Sequence, residues 1–415
     1  MSRLDPTFVS LFSGAGGLDL GLEQAGWRCA YASDIDHAAV RTLEVNRGTR
    51  LSRGRRAFEG TIIEQSDIRL DTAEQILSKT GVARGDVRLL AGGPPCQSWS
   101  SAGHQHGFED PRGRLFDDFI RIASQLDVRW LVMENVRGLL TARGPDGEPG
   151  SALAYIRGRL LNAGFQTIVS LFNAADFGVP QRRVRLIIIG FRTGDPPPFP
   201  VATHEKPASQ PMFQQKKSWI SLGQTLASLS SVNEEEILRP SGKLAIELAA
   251  VKPGSGVKSP GKAERTRPGG HWGYKQGAFV ADLGQSARTI TANTQQDWIR
   301  DPELGLRRLC PRECAAIQGF PEGWKFDGSR ATQYRLIGNA VPPPLAKAIG
   351  ASLRRHMRAE GEAATRVDTG NLLPLPDRLR SAIEYTAREE RSNGASRRAT
   401  ASRRVSRVLE VARRG

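Results

Sequence analysis

The first 190 residues alternate short apolar runs with helix-like stretches, and this alternation constrains the fold more than any other feature. Short β-rich runs separated by helices are typical of a doubly wound, mostly parallel α/β sheet. The predicted strands are FVSLF (8–12), CAYAS (29–33), VRLLAGG (87–93), WLVM (130–133) and RLIIIGF (185–191).

Glycine-rich or polar segments follow the first four runs directly. In doubly wound sheets, ligands bind beyond the carboxyl ends of the strands. The pattern therefore predicts a functional site at this edge of the sheet.

FSGAGGLDLG (12–21) places clustered glycines between the first strand and the first helix. Glycines there let the backbone approach a ligand closely. The dinucleotide pattern G-x-G-x-x-G fails because its third glycine would fall at Asp19, so the turn suits a ligand without a pyrophosphate. A glycine-rich turn with no ligand is the alternative.

Two acids extend this candidate ligand site. Asp34 follows the second strand, where an acid typically binds a ribose diol. Asp67, in QSDIR, follows a further strand, and its side chain either contacts the same ligand or belongs to an ordinary surface turn.

Cys96 follows the third strand in GGPPCQSWS (92–100). Two prolines stiffen the chain before the thiol, and the long polar loop after it is typical of an active-site lid. A thiolate nucleophile requires an electropositive setting. Arg183 and Arg185, two apart on one strand face, could supply it. The alternative is an inert, buried cysteine.

Glu134 ends the fourth strand, directly before Asn135. A carboxyl group at the end of a buried strand costs free energy unless it is paired or catalytic. Glu134 is therefore either a satisfied structural acid or a catalytic one.

The alternation of apolar runs and helix-like stretches ends after Phe191. GDPPPFP (194–200) indicates a linker, and the stretch to about 285 has weak periodicity, which predicts a smaller irregular or β-rich region. Helical patterning returns from Arg307. Residues after about 360 are polar and Arg-rich and predict a tail that is either disordered or marginally helical, and we expect neither catalysis nor specificity to require it.

The net charge of +16 and the pI near 10.3 favour a polyanionic partner, above all nucleic acid. Residues 370–415 hold eleven arginines and five acids, so the tail alone does not explain the excess. The chain has only four cysteines and an N-terminus unlike a signal peptide. These features favour a cytoplasmic protein without a membrane segment. No metal site is expected, since no His or Cys completes a set with Cys310 and Cys314.

Taken together, the motifs resemble those of the S-adenosylmethionine-dependent DNA cytosine-5 methyltransferases, over roughly residues 7–190 and 285–352. A P-P-C-Q, E-N-V and Q-R-R-x-R series in this order is far more specific than any single motif. The matching segments are FSGAGGLDLG, SDID, SDIR, GGPPCQSWS, ENV (134–136), QRRVR (181–185), RECAAIQGFP (312–321) and IGNAVPPPLAKAIG (337–350).

The resemblance implies covalent catalysis on a cytosine flipped out of the duplex. The Cys96 thiolate would attack C6, which makes C5 nucleophilic enough to take the methyl group. Glu134 would protonate or hydrogen-bond ring N3. Arg185, with Arg183 nearby, would hold the O2 side of the ring.

The resemblance also implies how S-adenosylmethionine binds. The glycine-rich turn would hold its methionine end, Asp34 the ribose, Ile35 the adenine face, and Asp67 with Ile68 the adenine edge. Residues 330–352 should return to pack beside 12–21 and complete the pocket. The implied cofactor residues are Phe12, Gly14, Gly16, Gly17, Leu18, Asp34, Ile35, Asp67, Ile68, Pro94, Asn339 and Val341.

The domain organisation implied is a catalytic domain (1–191), a target recognition domain (192–306), a return segment (307–355) and a basic tail (356–415). Double-stranded DNA is the expected partner of a cytoplasmic monomer that uses no metal. We expect it to be the modification enzyme of a restriction-modification system, with an endonuclease that acts on the same site without forming a stable complex. The implied DNA contacts are Gln97, Ser98, Ser100 and Arg112.

Two other functions are open at this stage. A transfer-RNA cytosine methyltransferase of the same fold would keep the chemistry, although such relatives usually lack so long a recognition region. A DNA-binding regulator that has lost catalysis would not need Cys96, Glu134 and Arg185 intact.

Overall fold

The computed structural model describes residues 5–95, 115–208, 215–258, 260, 277–360, 365–389 and 391–392. Its central sheet has seven strands: β1 (Thr7–Leu11), β2 (Arg28–Asp34), β3 (Ile62–Gln65), β4 (Val87–Gly92), β5 (Trp130–Val136), β6 (Gln166–Asn173) and β7 (Val184–Phe191). They are ordered β3-β2-β1-β4-β5-β7-β6, with β7 antiparallel to both neighbours and the other pairs parallel. The predicted doubly wound, mostly parallel sheet is confirmed.

Helices cover both faces of this sheet. One face carries α1 (Gly17–Gln24), α2 (His37–Val45), α8 (Pro311–Gln318), α9 (Arg330–Asn339) and α10 (Pro343–Glu360). The other carries α3 (Ala73–Thr80), α4 (Leu115–Leu126) and α5 (Ser151–Asn162). Short 3-10 turns lie at Ser52–Gly54, Arg137–Thr141, Ala174–Phe177 and Glu234–Glu236. Within the described residues, no helix combines the length and apolarity needed to cross a membrane.

Side chains that alternate along each strand enter two separate cores. Phe8 and Leu89 pack on the side of α1 and α10, whereas Val9 and Leu90 pack on the side of α4. Because both faces are covered, every position of β1 is buried. This explains why the strands read as continuous apolar runs rather than as an apolar and polar alternation.

The C-terminal return segment packs beside the first helix, as predicted. A Cβ on Gly21 of α1 would lie 2.4 Å from the Ala346 Cβ of α10, so only glycine permits this approach. The Trp27 indole N–H donates to the Gly350 carbonyl at 2.9 Å and fixes the crossing. The return segment thus brings α9 to the edge of the sheet where β1 ends.

The region between β7 and α8 is irregular and β-rich, in agreement with the sequence pattern. It holds β8 (His204–Glu205), β9 (Lys217–Ser218), α6 (Leu222–Ala227), α7 (Gly242–Ala250), β10 (Ser255–Gly256), β11 (Phe279–Val280), β12 (Trp298–Asp301) and β13 (Gly305–Arg308). The last four strands form a small sheet of their own, over a core of Leu248, Val251, Val280 and Trp298. The boundaries of this region as a recognition domain stay a prediction.

Disorder is wrong for residues 356–360, which end α10, and for residues 365–389, which we call the C-terminal arm; the helical alternative agrees with residues 377–389. The arm pairs beside the end of β7, where the Val367 amide donates to the Arg192 carbonyl at 2.9 Å. Residues 377–389 are helical, and Leu379 is fully buried in the core beneath α5. Buried side chains of the domain hold the arm: Gln166 donates to two arm carbonyls at 2.7 Å, and Arg157 donates to the Leu373 carbonyl.

Deletion of residues 361–415 is therefore expected to destabilise the protein by about 3 kcal/mol or more. The deletion exposes the apolar surface under Leu379 and leaves Gln166 and Arg157 with unpaired buried donors. Denaturant unfolding measures the loss. Deletion of 393–415 alone is the matched control and should leave the unfolding midpoint unchanged. Equal midpoints for the two deletions would contradict a structural role of the arm.

Candidate active site

A cavity of about 550 Å³ opens at the carboxyl ends of the central strands, where the sequence predicts the site. The ends of β1, β2 and β5 and the segments after β3 and β4 form most of its wall, and α9 with the residues after it closes one side. The predicted site residues that line it are Phe12, Gly14, Leu18, Asp34, Ile35, Asp67, Ile68, Pro94, Glu134, Arg185, Asn339 and Val341.

Asp34 is fixed by two backbone amides from opposite sides. The Gly14 N–H donates to its Oδ2 at 2.8 Å, and the Asp36 N–H donates to its Oδ1 at 2.9 Å. Burial raises the pKa of this carboxyl, although both amides act in the opposite direction. Apart from the chain neighbours of Gly14, no described residue has a heavy atom within 4 Å of the place where a Cβ on Gly14 would stand. The carboxylate is thus held rigidly beside open space and keeps lone pairs for ligand hydroxyls.

Gly16 and Gly17, which were predicted to bind the methionine end of the cofactor, are not among the residues that line the cavity. Their absent side chains make room for protein instead. A Cβ on Gly17 would lie 2.1 Å from the Val341 carbonyl oxygen, and one on Gly16 would lie 2.6 Å from Leu43. These two glycines therefore let the return segment and α2 reach the turn, and only Gly14 of the three faces the cavity.

Two isoleucines and an acid form the far wall. Ile35 is 62% exposed, which is unusual for an isoleucine and presents a flat apolar surface to the cavity. Ile68 also lines the cavity, although most of its side chain is buried. Asp67 pairs with Arg69, whose Nε lies 3.0 Å from each carboxylate oxygen, and this contact lowers the pKa of Asp67.

Glu134 and Arg185 form an ion pair on the cavity wall. The Arg185 Nε lies 2.9 Å from the Glu134 Oε1, and the guanidinium also donates to the Val184 carbonyl. The pairing follows from the sheet, because β5 and β7 run antiparallel and place these residues near each other. Burial raises the pKa of Glu134, and the charges of Arg185 and Arg183 only partly offset it. Burial thus shifts this carboxyl toward its protonated form, which is the form that can donate a proton.

Arg183 does not reach the cavity, which corrects its predicted place in the catalytic set. Its buried guanidinium donates to the carbonyls of Ile290 (2.9 Å), Gly338 (2.7 Å) and Ala340 (3.0 Å). Burial lowers its pKa. These three bonds join β7 to the region before β12 and to the return segment, which gives Arg183 a positioning role.

Asn135 also belongs to the site, although only its neighbour Glu134 was predicted to have a role there. Its Nδ2 donates to the Pro94 carbonyl at 3.0 Å, and its Oδ1 accepts from the Val136 amide. A Cβ on Gly93 would lie 3.3 Å from the Glu134 Oε2. The GGPP segment therefore lies directly against Glu134 and is tied to β5 just before Cys96. The position of Asn135 directly after Glu134 in the sequence is the feature from which its place in the site could have been predicted.

Cys96 and the predicted DNA contacts Gln97, Ser98, Ser100 and Arg112 lie outside the described residues. In the region between β7 and α8, the Trp219 indole donates to Asp176 at 2.9 Å, which holds this segment against the 3-10 turn after β6. Nowhere in the described chain do three or more His, Cys, Asp or Glu side chains group as a metal site would require.

Comparison with known sequences identifies the family that these motifs represent. The family of C-5 cytosine-specific DNA methylases matches residues 6–355. The type II methyltransferase M.FnuDI of Fusobacterium nucleatum is 31% identical over 361 residues, covering 83% of this chain and 93% of the relative. The type II methyltransferase M.Sau96I of Staphylococcus aureus is 32% identical over 361 residues, covering 85% of this chain and 76% of the relative.

Solved structures share the fold at lower sequence identity. A Spodoptera frugiperda DNMT2 mutant superposes with a TM-score of 0.56 at 19% identity, over 84% of this chain and 98% of that one. The Entamoeba histolytica methyltransferase EhMeth superposes with a TM-score of 0.57 at 16% identity, over 86% and 99%. These structural similarities support the doubly wound sheet described above. The C-terminal arm lies outside residues 6–355, the part of the chain that the family matches.

Proposed function

The chain belongs to the C-5 cytosine-specific DNA methylases, and from that premise we propose that it methylates C5 of a cytosine flipped out of one specific duplex DNA sequence. One observation carries this proposal above the others: the Glu134–Arg185 pair lies on the wall of the same cavity that Asp34 and Gly14 line. An acid for the base and a nucleoside-binding carboxylate thus share one compartment.

The residues of the cavity fit S-adenosylmethionine, which supplies a methyl group on a sulfonium when it is bound. Asp34, with both oxygens already oriented by amides, suits the two hydroxyls of a ribose. Ile35 offers an apolar face for the adenine, and Asp67 an acceptor for its edge. The open space at Gly14 admits a ligand close to the backbone. We assign the remaining cofactor contacts to Phe12, Leu18, Ile68, Pro94, Asn339 and Val341.

Catalysis begins, in this proposal, with the Cys96 thiolate adding to C6 of the cytosine. Glu134 donates its proton or a hydrogen bond to N3, which stabilises the charge that develops on the ring. Arg185 orients Glu134 and holds the O2 side. C5 then takes the methyl group, and loss of the C5 proton expels the thiolate. The base must leave the stack, since its C6 is inaccessible within the duplex.

We further propose that the protein is the modification enzyme of a restriction-modification system. The relatives named type II methyltransferases, 31% and 32% identical to this chain, support this role. The excess positive charge suits a DNA substrate. Gln97, Ser98, Ser100 and Arg112 are proposed to contact DNA, residues 192–306 to choose the sequence, and the enzyme to act as a cytoplasmic monomer.

Bisulfite sequencing of DNA from cells that express the protein tests the proposed function. Protected cytosines should occur at one position of one short sequence, and cells with an empty vector should show none. Transfer RNA from the same cells should be unchanged. Methylation confined to RNA would replace the DNA substrate by transfer RNA, and no methylation in either would favour a silent DNA-binding regulator.

A further inference from the structure

An ion pair joins Arg335 of α9 to Asp36 at the rim of the cofactor cavity. Both residues line the cavity, and the Arg335 Nη1 contacts the Asp36 Oδ2. The pair crosses the cavity wall from the return segment to the turn between β2 and α2. These two parts of the chain are about 300 residues apart in sequence.

Asp36 has a fixed position, because it caps α2 and holds the neighbouring Asp34. Its Oδ1 accepts from the Ala38 amide at 3.1 Å, which satisfies an unpaired donor of the first helical turn. Its own amide donates to the Asp34 Oδ1 at 2.9 Å. A displacement of Asp36 would therefore displace the carboxylate that we assign to the ribose.

Asp34 and Asp36 bring two negative charges to one short turn. Their repulsion contributes to the raised pKa of Asp34, beyond the larger effect of burial, and the charge of Arg335 acts against it. At Asp36, partial burial is outweighed by the contact with Arg335 and the capping amides, so its pKa is lowered. Among the described charged groups that act on this turn, Arg335 is the cation that compensates both acids.

We propose that Arg335 is a positioning residue for the cofactor: through Asp36 it orients Asp34 toward the ribose hydroxyls and so links the return segment to cofactor affinity. This inference rests on the proposed function. An exposed ion pair by itself contributes little to stability. Arg335 therefore affects binding more than folding.

Calorimetric titration with S-adenosylhomocysteine tests the proposal without turnover. Arg335→Met should raise Kd roughly five- to tenfold, the loss typical of one hydrogen bond. In an Asp34→Asn background the same substitution should have little further effect, because Arg335 acts through Asp34. In turnover, KM for the methyl donor should rise by a similar factor, with kcat and KM for DNA unchanged.

Arg330→Met is the matched control. Arg330 begins the same helix, but its guanidinium donates to the Glu235 carbonyl and does not line the cofactor cavity. The Arg330→Met protein should have the same Kd for S-adenosylhomocysteine and the same unfolding midpoint as the wild type. An Arg335→Met protein with wild-type affinity, or with an additive loss in the Asp34→Asn background, would overturn the role of Arg335. Failure of the wild type to bind would overturn the cofactor assignment as well.

Discussion

Replacement of Cys96 with alanine is expected to abolish both methyl transfer and the covalent complex with DNA that carries 5-fluorocytosine at the target. In the proposed mechanism, the thiolate of the wild type adds to C6 and C5 takes the methyl group, but fluorine cannot leave C5 as a proton does. The enzyme then stays bonded to the base. The complex should survive denaturation and migrate as one species on a denaturing gel.

Cys29→Ala is the matched control for this experiment. Cys29 is fully buried, its thiol donates to the Tyr31 carbonyl, and burial raises its pKa, so no thiolate is available there. The Cys29→Ala protein should form the covalent complex as the wild type does. A Cys96→Ala protein that still forms it would assign the nucleophile to another residue.

The strands that hold the site were predictable because both faces of the sheet are covered. Burial on both sides selects continuous apolar runs such as Leu186–Ile189, which stand out in the sequence. The edge strand β6 was missed. Polar residues interrupt its apolar ones, since Gln166 and Ser170 bond to the C-terminal arm instead of facing a second layer of apolar side chains.

The C-terminal arm was misread for a related reason. Its composition is polar and Arg-rich, and hydrogen bonds from Arg157 and Gln166 hold much of it in place. Such bonds depend on partners about 200 residues away, so the sequence of the arm does not reveal them. Composition therefore predicted disorder where the folded domain supplies the partners.

The sequence motifs predicted which residues lie near the site, but they did not predict which atoms each of these residues contacts. Gly14, Gly16 and Gly17 share one motif, yet only Gly14 faces the cavity. Arg183 and Arg185 are two apart, yet Arg183 holds three carbonyls and Arg185 pairs with Glu134. These differences arise from contacts with distant parts of the chain, namely α2, the region before β12 and the return segment, which the local sequence of the motifs does not encode.

Glu134→Gln is expected to lower kcat by about 10²- to 10⁴-fold, the usual range for loss of a general acid. The substitution keeps the size of the side chain, but an amide cannot release a proton to N3. Single-turnover methylation at saturating DNA and methyl donor measures the effect. The rate of the wild type should fall as the pH rises through the raised pKa of Glu134, and this limb should be absent from the variant.

Glu313→Gln provides the matched control, because Glu313 is also a buried partner of an arginine. It lies 2.7 Å from Arg307, far from the cavity lining, and should lower stability while leaving kcat nearly unchanged. A Glu134→Gln protein whose kcat stays within about threefold of the wild type would remove Glu134 from the reaction, because so small a loss lies far below the range for a general acid.

The stability of the wild type and of Glu134→Gln should also differ in its dependence on pH. The folded state raises the pKa of Glu134, so between the unfolded and folded values the native protein binds more protons than the unfolded chain. Wild-type stability contributed by this group therefore declines as the pH rises through that window. The amide of the variant does not titrate, so Glu134→Gln should lack this decline, and thermal unfolding measured across the window detects the difference. Because a side chain that served only to pair with Arg185 would be ionised and stabilising there, the opposite slope would indicate a structural acid.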